Sequence, residues 1–169
     1  MKHLKTLLLA TILFVGTTSL ATAQEKIAHI NTTELVQSMP EMKKAQAEIE
    51  QISKTYDAQY KEMVTELQNK VTQYRSEVAT KTEEENNKRA KEVQEMEQSI
   101  REYQAGAQDD LGKKEAALLK PIFEKAKVAI QTVATAQGFQ YVLDSTQGGG
   151  VLVADGKDLL ADVKKQLGF

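Results

Sequence analysis

The chain has 169 residues, with 22 Lys and Arg against 24 Asp and Glu, no Cys, no Trp and only 5% aromatic residues. The missing cysteine excludes disulfides, and the slightly acidic balance gives no sign of the basic face that a nucleic-acid partner usually demands. So few aromatic residues argue against one compact globule and for an elongated shape, an oligomer, or both.

The first five residues carry Lys2 and Lys5, an apolar run fills residues 7–15, and Ala21-Thr22-Ala23 follows. This is the layout of a cleaved signal peptide, here residues 1–23 with the cut before Gln24. The apolar run is short for a membrane span, which needs about 20 apolar residues. An exported, soluble chain is expected. With no cysteine for a lipid anchor or a disulfide, the periplasm is the expected compartment. Its mature form has 146 residues, with 20 basic against 24 acidic side chains and a net charge near −4.

Residues 26–31, KIAHIN, read as a short strand. Asn31 and Glu34 have the spacing of a capping box, which predicts a short helix through Glu34 to Gln37. Ser38-Met-Pro-Glu41 repeats that signal, with Pro40 in a first turn where its missing N–H is harmless. A long helix is predicted from there. Its apolar residues fall at Ile52, Tyr56, Tyr60, Met63, Leu67, Val71, Tyr74 and Val78. That is an 11-residue repeat, about 3.67 residues per turn, which suits a nearly straight helix pair. Around residues 80–86 the stripe vanishes. Thr80 with Glu83 and Thr82 with Glu85 both offer capping-box spacing, so a turn near 80–82 and a new helix from about Glu83 are expected.

The second helix carries Val93, Met96, Ile100, Tyr103, Ala107, Leu111 and Leu118. Folded back on the first, one antiparallel register pairs Leu67 with Met96, Met63 with Ile100 and Tyr60 with Tyr103. It also pairs Tyr56 with Ala107, Ile52 with Leu111 and Ala45 with Leu118; the numbers of every pair add to 163. An arm of about 40 residues reaches roughly 60 Å at 1.5 Å per residue. Gly106 reads either as room for Tyr56 and Tyr60 or as a pivot. Pro121 should kink the helix by removing one backbone bond, and Gly138 should end it.

Residues 139–144 and 151–154 then read as two strands joined by Gly148-Gly-Gly150. Residues 159–167 read as a short amphipathic helix. The fold class is mainly α with a small β body. A long helical hairpin (coiled-coil tentacle), residues 41–136 with its tip near 80–83, is inserted into a three-stranded β segment. The body is 24–40 with 137–169. A sheet of two short strands is marginal alone, and three with a helix are still a small core for so long an arm, so association of several bodies is expected to close the edges.

No enzyme is expected, and neither a cofactor nor a metal. The mature chain has a single histidine, His29, which in a strand reads as a packing or hydrogen-bonding residue rather than a general base. The glycine run lacks the lysine and helix of a phosphate loop.

The stretches "KIAHINTTELVQSMPEMKKAQAEIE", "LLKPIFEKAKVAIQTVATAQGFQYVLDS" and "DLLADVKKQLG" resemble the Skp/OmpH family of periplasmic chaperones for outer-membrane proteins. The resemblance implies a homotrimer whose body strands build a shared β-barrel. It also implies helical arms that enclose unfolded outer-membrane proteins without ATP. The body face between copies would then include Ile27, Ile30, Tyr141, Leu143, Val151 and Val153. The hairpin seam would be Ile52, Tyr56, Tyr60, Met63, Leu67, Met96, Ile100, Tyr103 and Leu111. Client-contacting residues stay unassigned. Family members are often basic, so the acidity of this chain speaks against strong lipopolysaccharide or membrane-surface binding. The competing reading is a structural coiled-coil adaptor of the cell envelope that bridges fixed partners.

Overall fold

The computed structural model describes residues 26–169. The expected signal peptide lies outside the described residues. Strand β1 is Ile27–Ile30, helix α1 is Thr32–Ser38, and helix α2 is Pro40–Glu77. A 3₁₀ turn at Val78–Thr80 leads to helix α3, Glu83–Ala136. Strands β2 (Tyr141–Asp144) and β3 (Lys157–Asp158) and helix α4 (Leu160–Leu167) complete the chain.

Local chemistry explains most boundaries. Asn31 Oδ1 accepts a 2.9 Å hydrogen bond from the Glu34 N–H and starts α1. Ser38 does not cap α2 as expected. Its hydroxyl donates back to the Leu35 carbonyl at 2.7 Å, and Met39 is the extended residue before Pro40. At the tip, Thr82 and Glu85 form a complete capping box, so two orphan N–H groups are satisfied reciprocally. Gly138, at φ +73°, follows the last turn of α3, as expected of a residue free to enter the left-handed region. The helix runs through Pro121 without interruption.

Helices α2 and α3 pack antiparallel along the arm. Lys70 pairs with Glu92, and the Tyr103 hydroxyl reaches Gln59 at 3.2 Å. Tyr56 bonds to Asp110, Tyr74 to Glu92, and Lys125 to Glu41. Each contact lies within about one helical turn of the register in which paired numbers add to 163. Tyr56 and Tyr103 also meet edge to face, with ring centres 6.4 Å apart.

The body differs from the expected hairpin. The sheet order is β2-β1-β3, and both pairs are parallel. Ile27 faces Tyr141 in register and Ile30 faces Asp144, while Ala28 and His29 face Lys157 and Asp158. Parallel neighbours require a long crossover; between β1 and β2 that crossover is the whole helical arm. Residues 151–154 are not a strand, and the third strand is Lys157–Asp158. The reason lies just upstream. Asp144 Oδ1 accepts from the Thr146 N–H at 2.9 Å, and the chain turns through Gly148 and Gly150 at φ +86° and +88°. A Cβ on Gly149 would stand 2.9 Å from the Thr146 carbonyl oxygen. That tight turn carries residues 151–154 away from β2.

One face of the sheet builds the core. Ala28 and Ile30 pack with Leu35, Val36, Met39, Met42, Ala45, Ile122, Ala126, Ala129, Val133, Leu159 and Val163. The arm root therefore shares its core with the body.

Candidate functional site

Strand alternation puts Ala28, Ile30 and Val142 against the core and leaves Ile27, His29, Tyr141 and Leu143 on the opposite face. Ile27, Tyr141 and Leu143 are 46%, 54% and 44% exposed, so this face is apolar and uncovered in a single chain. His29 Nδ1 and Ser145 Oγ, 3.1 Å apart, share a hydrogen bond beside it. Ile30 does not belong to that face. It is 1% exposed and fills its own subunit's core, because its position in the pleat points it toward α1 and α3. Val153 is exposed and Val151 half-buried, both on the loop after the glycines rather than in a strand. The neighbouring Leu152 is 97% exposed.

A polar network ties the two ends of the chain together. Asp144 accepts from the Thr32 hydroxyl and the Thr146 hydroxyl, both at 2.6 Å. Thr146 in turn reaches Asn31 Oδ1 at 3.2 Å. Partial burial pushes the Asp144 carboxyl up, but the hydrogen bonds from Thr146 and Thr32 together outweigh it and bring it down to about 2.

Two grooves flank Phe123, which is half-exposed. One, about 590 Å³, lies at the arm root between Val36, Met42, Ile49, Leu111 and Leu119. The other, about 480 Å³, runs past Ala126 and Ile130 to Phe139 and Val142, beside the free edge of β2. The sequence reading missed Phe123. The available signal was a bulky aromatic one position off the stripe Ile122, Ala126, Ile130 and Val133.

Along the arm, Ile52, Tyr56, Tyr60, Met63, Leu67, Met96, Tyr103 and Leu111 are half-buried, and Ile100 is buried. Hydrogen bonding to Asp110, then burial, pushes the Tyr56 hydroxyl up. Glu92 likewise pushes the Tyr74 hydroxyl up. Hydrogen bonds from Lys70 and Tyr74 hold the Glu92 carboxyl below its usual range. These contacts fasten the two helices to each other. Gly106 and Gly112 are exposed, and a Cβ on either would meet nothing within 4 Å. Gly106 therefore does not make room for Tyr56 and Tyr60.

A family model described as "Outer membrane protein (OmpH-like)" matches residues 26–167, which is the body and the arm together. The chain belongs to the OmpH-like family. Among curated relatives, the OmpH-like chain is 27% identical over 146 residues to the chaperone protein Skp of Pectobacterium atrosepticum, covering 86% of this chain and 87% of that protein. It is 25% identical over 147 residues to the chaperone protein Skp of Photorhabdus luminescens, covering 87% and 88%. Its fold matches a solved structure described as an OmpH-like outer membrane chaperone from Caulobacter crescentus. The TM-score is 0.74 at 18% identity, over 83% of this chain and 82% of that one. What the OmpH-like chain shares with the solved protein is thus the whole architecture of body and arm.

Proposed function

We propose that this chain is a periplasmic chaperone that holds unfolded outer-membrane proteins between the helical arms of a homotrimer, without nucleotide. The observation that carries this reading is the extent of the family match. It spans body and arm in one unit, whereas a generic coiled coil would match the arm alone. The same extent disfavours a simple adaptor.

The body supports assembly. Ile27, Tyr141 and Leu143 make an uncovered apolar sheet face, and β2 and β3 are both edge strands. Open edges and apolar faces invite pairing with another chain. Leu152 and Val153, on a loop beyond β2, offer apolar side chains that have no cover in their own subunit. Three such bodies closing on one another would bury both features. The arms, about 57 Å long for the 38 residues of α2, would then bound a shared cavity. Half-exposed tyrosines and methionines on long arms suit many weak contacts with an unfolded chain, which hold it without fixing one conformation.

The test dilutes a denatured outer-membrane β-barrel protein into the purified mature chain and follows turbidity. The expected result is a soluble client at several-fold trimer excess without ATP. Undiminished aggregation would refute the chaperone. Light scattering addresses assembly separately. The unsubstituted chain should be a trimer and Ile27→Glu with Tyr141→Glu a monomer, whereas a monomeric unsubstituted chain would sink the shared barrel.

A further inference from the structure

At the far end of the arm, where α2 gives way to α3, lies a third groove of about 470 Å³. That is room enough to seat a bulky side chain in an open groove. Its apolar lining comes from Val71, Val78, Ala90 and Val93, and its charged lining is Arg75 and Arg89. Val78, at the hairpin tip, is 54% exposed. No acidic side chain lines the groove, although the chain as a whole is acidic.

The two arginines are held differently. Arg89 stacks over the Tyr74 ring at 4.5 Å and donates from Nη2 to Glu77 at 2.6 Å. Its Nη1 is buried and has no hydrogen-bond partner among the described residues. That nitrogen is closed off from the groove, so Arg89 contributes charge to its wall rather than an open hydrogen-bonding edge. Arg75 makes no ion pair among the described residues. Apolar walls thus meet one cation without an ion pair, Arg75, and one already held by Glu77, Arg89.

We propose that the tip groove docks an extended peptide segment in which a bulky apolar side chain sits beside a carboxylate. The apolar side chain lies on Val71, Val78 and Val93, and the carboxylate pairs with Arg75, while Arg89, held by Glu77, adds its charge at the groove wall. This assignment rests on the chaperone reading and supplies one client-contact surface for it. It also gives an acidic arm a way to hold acidic segments, which its mean charge would repel.

The chain has no cysteine, so Gln94→Cys places one environment-sensitive dye at the rim of the groove. Gln108→Cys, exposed and farther down the arm, is the control label. The probes are a short synthetic peptide alternating Phe and Ser with one central Glu, and the same peptide with Lys in that place. The Gln94 dye should respond to the Glu peptide at a concentration at least about threefold lower than to the Lys peptide, and less so at high salt. Arg75→Glu should abolish that preference, and Val78→Ser should weaken both peptides, while circular dichroism stays unchanged. Equal response to both peptides, or a preference that survives Arg75→Glu, overturns the proposal. A Gln94 response to anionic phospholipid vesicles but not to the Glu peptide also overturns it, and marks a lipid site instead. The turbidity assay keeps the two readings apart. A chain that holds its client but shows no groove response loses only the groove. A chain that binds the peptide but holds no client loses only the chaperone.

Discussion

Replacing both arm glycines with alanine should stabilise the protein. Gly106 and Gly112 sit inside α3, on exposed positions, and neither has a positive φ. A Cβ at either position meets no atom within 4 Å, so alanine brings no clash. A helical glycine costs about 0.8–1.0 kcal/mol relative to alanine, chiefly through the freedom of the unfolded chain. The two positions are about 9 Å apart along the helix axis, far enough for their effects to add. The double variant should therefore gain about 2 kcal/mol in the arm. With a urea slope of about 1–3 kcal/mol per molar, its midpoint should rise by roughly 1 M. Urea unfolding followed by far-ultraviolet circular dichroism, at one fixed chain concentration, measures this. An unchanged or lower midpoint would refute the reasoning. It would mean that the glycines accommodate something in the assembled protein that one chain does not contain.

Three further outcomes follow from the same contacts. Leu159→Ala empties a fully buried position where α4 meets the sheet and should cost about 2–5 kcal/mol in urea unfolding. Thr82→Ala removes the capping box at the tip. It should cost about 1 kcal/mol, and amide exchange should rise in the first turn of α3 before it rises elsewhere. Asp144 is held at about 2 against an ordinary 3.8. It therefore contributes stability that is full above about pH 4 and is lost as pH falls toward 2. Asp144→Asn should lower stability at neutral pH and flatten the acid limb of the stability–pH curve in that window.

The helices were legible because their signals are local. Asn31 with Glu34, Pro40, and Thr82 with Glu85 each mark a boundary through atoms a few residues apart. The antiparallel register was legible because two stripes of half-buried residues had one alignment that matched both. The sheet was not, because its decisive partners are far apart in the chain. Residues 151–154 have the β-branched and apolar character of a strand, yet the turn from Asp144 through Gly150 leads them out of the sheet. Lys157 and Asp158 have no such character, and they are a strand only because β1 offers them an edge. Phe123 escaped notice because the stripe beside it already accounted for the packing of α3. The tip groove escaped notice because Val71 and Val93 read as stripe residues and nothing in the sequence sets Arg75 and Arg89 beside them. Only the packed hairpin sets them around one opening.

The parallel sheet has a consequence for the order of events when the chain folds. Strand β1 is central, but its partners begin at Tyr141 and Lys157, so more than a hundred residues must be in place before it is sandwiched. The arm needs no such wait, because its contacts close progressively from a capped turn, and local contacts form fast. The hairpin should therefore zip first and bring Ile122 and Val133 back beside α1. The body should close last and more slowly, when the final segment reaches the far side of β1. A chain that stops before Leu159 would keep a competent arm and lack the bolt that locks its base.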